Sequence, residues 1–291
     1  MEEQLKNIRR QQIDMTALTE KLTLQGEMLN NQMVWTAENL IFVYNTIDEQ
    51  KENINKNIDM LQEQLRILKI QQDLGYVSSL DIEGVEFKLE ELNSTKEALD
   101  SQKLNVKRQL NLLFGQSYNT PLEISFVPEV NIYEAISINS KEDLNTAIKN
   151  SYELRLHQYE IEEKQVALTR TKNDEDDGEN SNEYKLANID LENENLKFED
   201  AKRNYELKFQ QLYETVKDKQ KTFGLENKKL SQEKSKMEAA KKKYDLGVIS
   251  KKEYDDIKFS YDLESIKVET AKIDLFTAHR KYEWMLKGLN I

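Results

Sequence analysis

The chain is poor in everything that breaks a helix. It has no cysteine, 2 prolines and 8 glycines in 291 residues. The missing cysteines exclude disulfides and thiolate metal sites and leave the compartment open. The two prolines, Pro121 and Pro128, stand close together, so both flanks are almost free of breakers. Long hydrophobic runs are absent too. The longest, Leu40 to Tyr44, is far too short to cross a bilayer as a helix. Met1 to Met15 is polar and charged, without the apolar core of a signal peptide. No phosphate-binding glycine loop and no nucleophile elbow occurs, so nothing points to an enzyme.

What is present is charge. Aspartate, glutamate, lysine and arginine make up 33% of the residues, and the net charge is −12. The two signs are interspersed, as on a solvated helix surface. Nucleic acid wants a concentrated basic face, so nucleic acid is not an expected partner. Leucine, isoleucine and tyrosine recur at helical spacing throughout, which excludes disorder. Few breakers, many charges and a helical period together indicate long helices or coiled coil.

One motif occurs twice. Asp73, Leu74, Gly75, Ser78 and Phe87 match Asp245, Leu246, Gly247, Ser250 and Phe259 at one constant offset. Each copy sits in the middle of a long helical stretch, so the chain reads as a duplicated helical hairpin. In each copy glycine supplies the left-handed C-cap, and serine opens the next helix. Asp81, three residues beyond Ser78, completes a capping pattern.

The expected fold is all-α, with long antiparallel helical hairpins and one short strand or linker. Residues 1–115 form the first hairpin repeat, 116–142 a proline-containing linker, and 143–291 the second repeat, with an acidic loop at 173–183. Gly26 and Asn30-Asn31 suggest a break, followed by a helix over about 36–72. Pro121 to Pro128 alternates apolar and polar, as a short strand does. Asp143 to Thr171 reads as one helix. The final hairpin rises from about Tyr184 to Tyr244 and descends to Leu289. Its descending stripe, interrupted by Glu264, is flanked by a second apolar row at Phe259, Leu263, Ile266, Ile273 and Phe276. Two adjacent rows touch more than one neighbour, which indicates a sheet or barrel of helices.

Metal and ligand signals are weak. His157 and His279 lie far apart in sequence, and no cofactor or metal site is expected. The acidic run Asp174 to Asp177 lacks the glycine and glutamate spacing of a calcium loop. Thirteen tyrosines and two tryptophans read as packing residues with polar edges.

The duplicated hairpin, with Leu-Gly-x-x-Ser tips and closes at Leu112-Leu113-Phe114-Gly115 and Leu286-Lys287-Gly288, resembles the TolC family of outer-membrane efflux proteins. Ala147 to Leu154 is similar to the opening of that family's second repeat. The resemblance covers most of residues 36–291. It implies a homotrimeric helical conduit in the cell envelope (periplasm, outer membrane or extracytoplasmic face). A membrane-fusion adaptor would link it to an inner-membrane pump. It assigns the docking tips to Leu74, Gly75, Val77 and Ser78 and to Leu246, Gly247, Ile249 and Ser250. It places Glu253 and Asp256 at the entrance, and Asp81 and Tyr244 in the network that closes it. The family arginine two residues after the second-tip glycine is Ile249 here, so that ionic link has no counterpart. Family members also insert a β-hairpin in each repeat. The corresponding segments, Gly26 to Met33 and Asn173 to Glu183, lack alternating ten-residue strands, so a chain without barrel insertions is expected. A non-catalytic coiled-coil scaffold or tether is the competing reading. An adaptor would need a glycine-rich β domain that this chain lacks.

Overall fold

A computed structural model of the chain describes residues 1–124, 138–174 and 178–291. Among the described residues six helices follow one another: α1 (Glu2–Asp73), α2 (Ser79–Leu113), α3 (Ser140–Asn150), α4 (Tyr152–Asp174), α5 (Asn182–Asp245) and α6 (Lys251–Leu286). A 3-10 turn, Gly178–Asn180, precedes α5. No strand is found among the described residues, and none of the helices is long and apolar enough to cross a membrane.

The helices pack into two compact units. One comprises Met1–Trp35, Ile136–Val216 and Ala278–Ile291; the other comprises Thr36–Ala135 and Lys217–Thr277. Each unit draws segments from both sequence repeats.

In the first unit α4 runs antiparallel to the start of α1. Arg10 donates two hydrogen bonds to Asp174 (2.7 and 2.9 Å), Arg170 pairs with Asp14 (2.6 and 3.0 Å), and Asn31 donates to the Tyr152 hydroxyl (2.7 Å). Asp174 belongs to this seam, and the guanidinium of Arg10 and the amine of Lys6 hold its carboxyl far below the usual range. The core behind the seam is aromatic. Tyr205, fully buried, donates to the Met285 carbonyl (2.8 Å), and Phe209 packs on Tyr282 with ring centres 5.2 Å apart. Each phenol keeps a partner, as buried tyrosines must. Tyr282 donates to Asp143 (2.7 Å).

In the second unit α2 pairs with α1 through Tyr44, Ile47, Leu99, Val106 and Leu110. Lys103 lies over the Tyr44 ring (4.3 Å) while bonding Asp48, so its stem covers apolar surface and its charge stays paired. On another face α1 meets α6, where Phe42 and Phe276 pack edge-on at 5.1 Å. α1 therefore meets both α2 and α6 in this unit. Glu264 is buried in spite of interrupting its stripe; one oxygen accepts from Lys267 (3.0 Å).

Several boundaries differ from expectation. The chain does not break at Gly26 or Asn30-Asn31, and α1 is continuous for 72 residues. A glycine inside a helix costs only about 1 kcal/mol, and buried Leu24 and the Asn31–Tyr152 bond outweigh it. The helix expected over 143–171 is two helices, α3 and α4, parted at Ser151. There the Tyr152 N–H leaves the helical ladder and donates to the Gly288 carbonyl (3.0 Å), while Ser151 Oγ accepts from the Leu154 N–H (3.3 Å) and caps α4. The descending helix stops at Leu286, because Gly288 adopts φ +103° and turns the chain. Of the expected strand, residues 125–128 lie outside the described residues. Residues 121–124 are irregular, and Leu122 and Ile124 pack on the α1–α2 core. The acidic loop falls partly on residues 175–177, also outside the described residues.

Gly26 and Gly288 should respond oppositely to alanine. At Gly26 a Cβ would meet nothing, and Gly26→Ala should stabilise the chain by about 0.5–1 kcal/mol. At Gly288 a Cβ would lie 2.1 Å from the Asn150 carbonyl oxygen, with φ positive as well. Gly288→Ala should cost at least about 2 kcal/mol. Urea unfolding followed by circular dichroism measures both.

Candidate functional site: the two hairpin tips

Both tips are built the same way. α1 ends with the Tyr76 N–H donating to Gln71 O and the Gly75 N–H to Gln72 O, each at 2.8 Å. α5 ends with the Val248 N–H donating to Lys243 O and the Gly247 N–H to Tyr244 O, again at 2.8 Å. These paired bonds form the Schellman motif, which needs a left-handed residue after the helix. Gly75 (φ +79°) and Gly247 (φ +68°) supply it.

The serines then restart the chain. Asp81 accepts from the Ser78 N–H (3.0 Å) and hydroxyl (2.7 Å). Glu253 accepts from the Ser250 N–H (3.0 Å) and hydroxyl (3.1 Å), and Ser250 Oγ accepts in return from the Glu253 N–H (3.2 Å). Each tip thus holds a capping box, Ser78 with Asp81 and Ser250 with Glu253. The Ser78 hydroxyl and N–H depress the Asp81 pKa, and the Ser250 N–H and hydroxyl depress that of Glu253.

Each tip presents apolar side chains to solvent. Leu74 is 65% exposed, Tyr76 78%, Leu246 79% and Val248 68%. Each tip thus leaves a small apolar patch in solvent on a turn of fixed geometry. Tyr244 is engaged differently, stacking on Tyr254 at 5.3 Å with the rings nearly parallel.

No family model matches the chain, and no curated protein matches it. Solved structures do. The outer-membrane channel OprN superposes with a TM-score of 0.67 at 12% identity, over 97% of this chain and 72% of that one. The MtrE outer membrane channel of Neisseria gonorrhoeae, in its open state, gives 0.64 at 11% identity, over 92% and 69%. The outer membrane protein VceC of Vibrio cholerae gives 0.61 at 9% identity, over 94% and 73%. The fold is TolC-like.

Within the TolC-like fold, Ile249, Glu253 and Asp256 share one open cleft between the end of α5 and the start of α6, together with Lys236 and Lys243. Glu253 is committed to the Ser250 cap, and Asp256 accepts from Lys252 (2.9 Å). A feature that sequence reasoning missed lies beside them. Met60, Ile67 and Leu68 of α1 and Phe259 of α6 line a groove of about 740 Å³, rimmed by Glu63, Arg66, Lys251 and Asp255. The repeated phenylalanine, Phe259, was its one visible signal. Where the resemblance places the first β-hairpin, α1 passes through Gly26–Met33 as helix.

The two caps should titrate differently. Both carboxyls sit below their ordinary values of 3.8 and 4.5, so their contribution to tip order is complete above those values and fades as the pH falls through the lower folded values. The hydroxyl is the larger influence on Asp81 and the backbone N–H on Glu253. Ser78→Ala should therefore raise the Asp81 midpoint more than Ser250→Ala raises that of Glu253. Carboxyl-carbon NMR titration of the three chains reads this directly.

Proposed function

We propose that the chain is a component of an efflux or secretion assembly in the cell envelope. In this reading copies of it assemble, as a homotrimer, into a helical conduit, and the hairpin tips dock a membrane-fusion adaptor that links to an inner-membrane pump. The chain acts by packing and not by catalysis. The observation that carries the reading is the pair of equivalent tips, each closed by a left-handed glycine and presenting exposed leucine and a second apolar side chain. An isolated tether has no use for two matched contact faces.

Further support comes from the first half of α1. Ile8, Met15, Leu22 and Leu29 recur every seven residues and are all exposed. A seven-residue apolar row left uncovered on one chain suits packing against another helix. Glu253 and Asp256 are the acidic residues assigned to the entrance, and Asp81 and Tyr244 the groups that order it. With Ile249 in the place of the family arginine, closure rests on the tip caps and the Tyr244–Tyr254 stack.

The continuous helix through Gly26–Met33 favours a second reading, a helical tether in the envelope without a pore of its own.

Docking separates the two. Gly75→Val with Gly247→Val should weaken binding of a purified membrane-fusion adaptor at least tenfold while circular dichroism keeps its helical amplitude. Full binding by that variant, or by Leu74→Ser with Leu246→Ser, contradicts the tip assignment.

A further inference from the structure

The two histidines carry no metal-binding signal in the sequence, yet the fold gives one of them a ligand set. His157 and Glu160 lie three residues apart, on one face of α4. Glu194 comes from α5 and is nearly inaccessible, with 5% of its side chain exposed. His157 Nδ1 is 2.9 Å from Glu194 Oε1 and 3.6 Å from Glu160 Oε2. The donor atoms of the three residues all lie within 4.8 Å of one another.

The outer oxygens show how the carboxylates are held. Glu160 Oε1 accepts from Lys21 of α1 (3.3 Å), and Glu194 Oε2 accepts from Lys197 (3.0 Å). Each glutamate therefore has one oxygen fixed by a lysine and the other turned towards His157. Outer partners of this kind orient the ligands of a metal site.

We infer that His157, Glu160 and Glu194 form a binding site for a divalent transition-metal ion of the zinc type, joining α4 to α5. One imidazole nitrogen with two carboxylate oxygens is a set that zinc accepts. A tetrahedral ion with bonds of about 2.0–2.2 Å keeps its donors roughly 3.3–3.6 Å apart. The two distances from His157, 2.9 and 3.6 Å, need shifts of only a few tenths of an ångström, and the two carboxylates lie within 4.8 Å of each other. His157 and Glu160 also line an open cleft of about 430 Å³ beside Met28 and Gln32, which leaves room for water to complete the coordination. An ion would replace the proton shared between Nδ1 and Glu194 Oε1 and take the Nδ1 lone pair of a neutral imidazole protonated on Nε2. The site belongs to the first compact unit, whereas the tips belong to the second, and it does not depend on the conduit reading.

Calorimetric titration of the chelator-stripped chain with zinc chloride alone tests this. One ion per chain is expected, with binding weakened at least tenfold by His157→Ala and by Glu160→Gln, and unchanged by His279→Ala. Glu160 sits at the more exposed edge of the cluster, so Glu160→Gln decides the question if His157→Ala fails to fold. Absence of saturable binding, or equal affinity in Glu160→Gln and the parent chain, would reduce the cluster to an ion-pair network and overturn the inference.

Discussion

Everything in this protein depends on where its long helices are made to stop. With 2 prolines and 8 glycines in 291 residues, little interrupts helix propagation. Four glycines do it: Gly75, Gly115, Gly247 and Gly288 each adopt positive φ just after a helix end. All four ends carry the same pair of backbone bonds, seen again in Gln116 N–H to Asn111 O and Leu289 N–H to Trp284 O. The last backbone carbonyls of each helix are thereby satisfied while the chain reverses, and only glycine takes that conformation without strain. The tips are what remains exposed when two helices are joined in this way.

Between the turns, stability comes from packing and register from charge. Tyr44, Ile47, Leu99 and Leu110 exclude water along one seam, and Tyr205, Phe209 and Tyr282 along another. Ion pairs such as Lys69–Glu86 and Lys219–Asp274 line the edges of these seams, where water weakens them. Their value is in choosing one alignment of two long helices over a slipped one. The apolar groups left outside, at the tips and along the first half of α1, are surfaces that the single chain does not cover. The proposed assembly gives those surfaces occupants.

The local features were legible because they are written in consecutive residues. Leu-Gly-x-x-Ser specifies a helix end and a helix start within five positions, and the structure forms both twice. Features set by distant contacts were not legible. Ser151 breaks a helix because Tyr152 finds Gly288, which is far away in sequence. Gly26 does not break one, because a weak local preference yields to burial of Leu24 and the Asn31–Tyr152 bond. His157 and Glu194 meet only once the register between α4 and α5 is fixed, so neither announces the other in the sequence.

If several copies build one conduit, the mass of the protein in solution shows it. Sedimentation velocity over a wide concentration range should give a species of three times the chain mass, growing with concentration at the expense of the monomer. A monomer at every concentration, or a stable dimer, would contradict the claim.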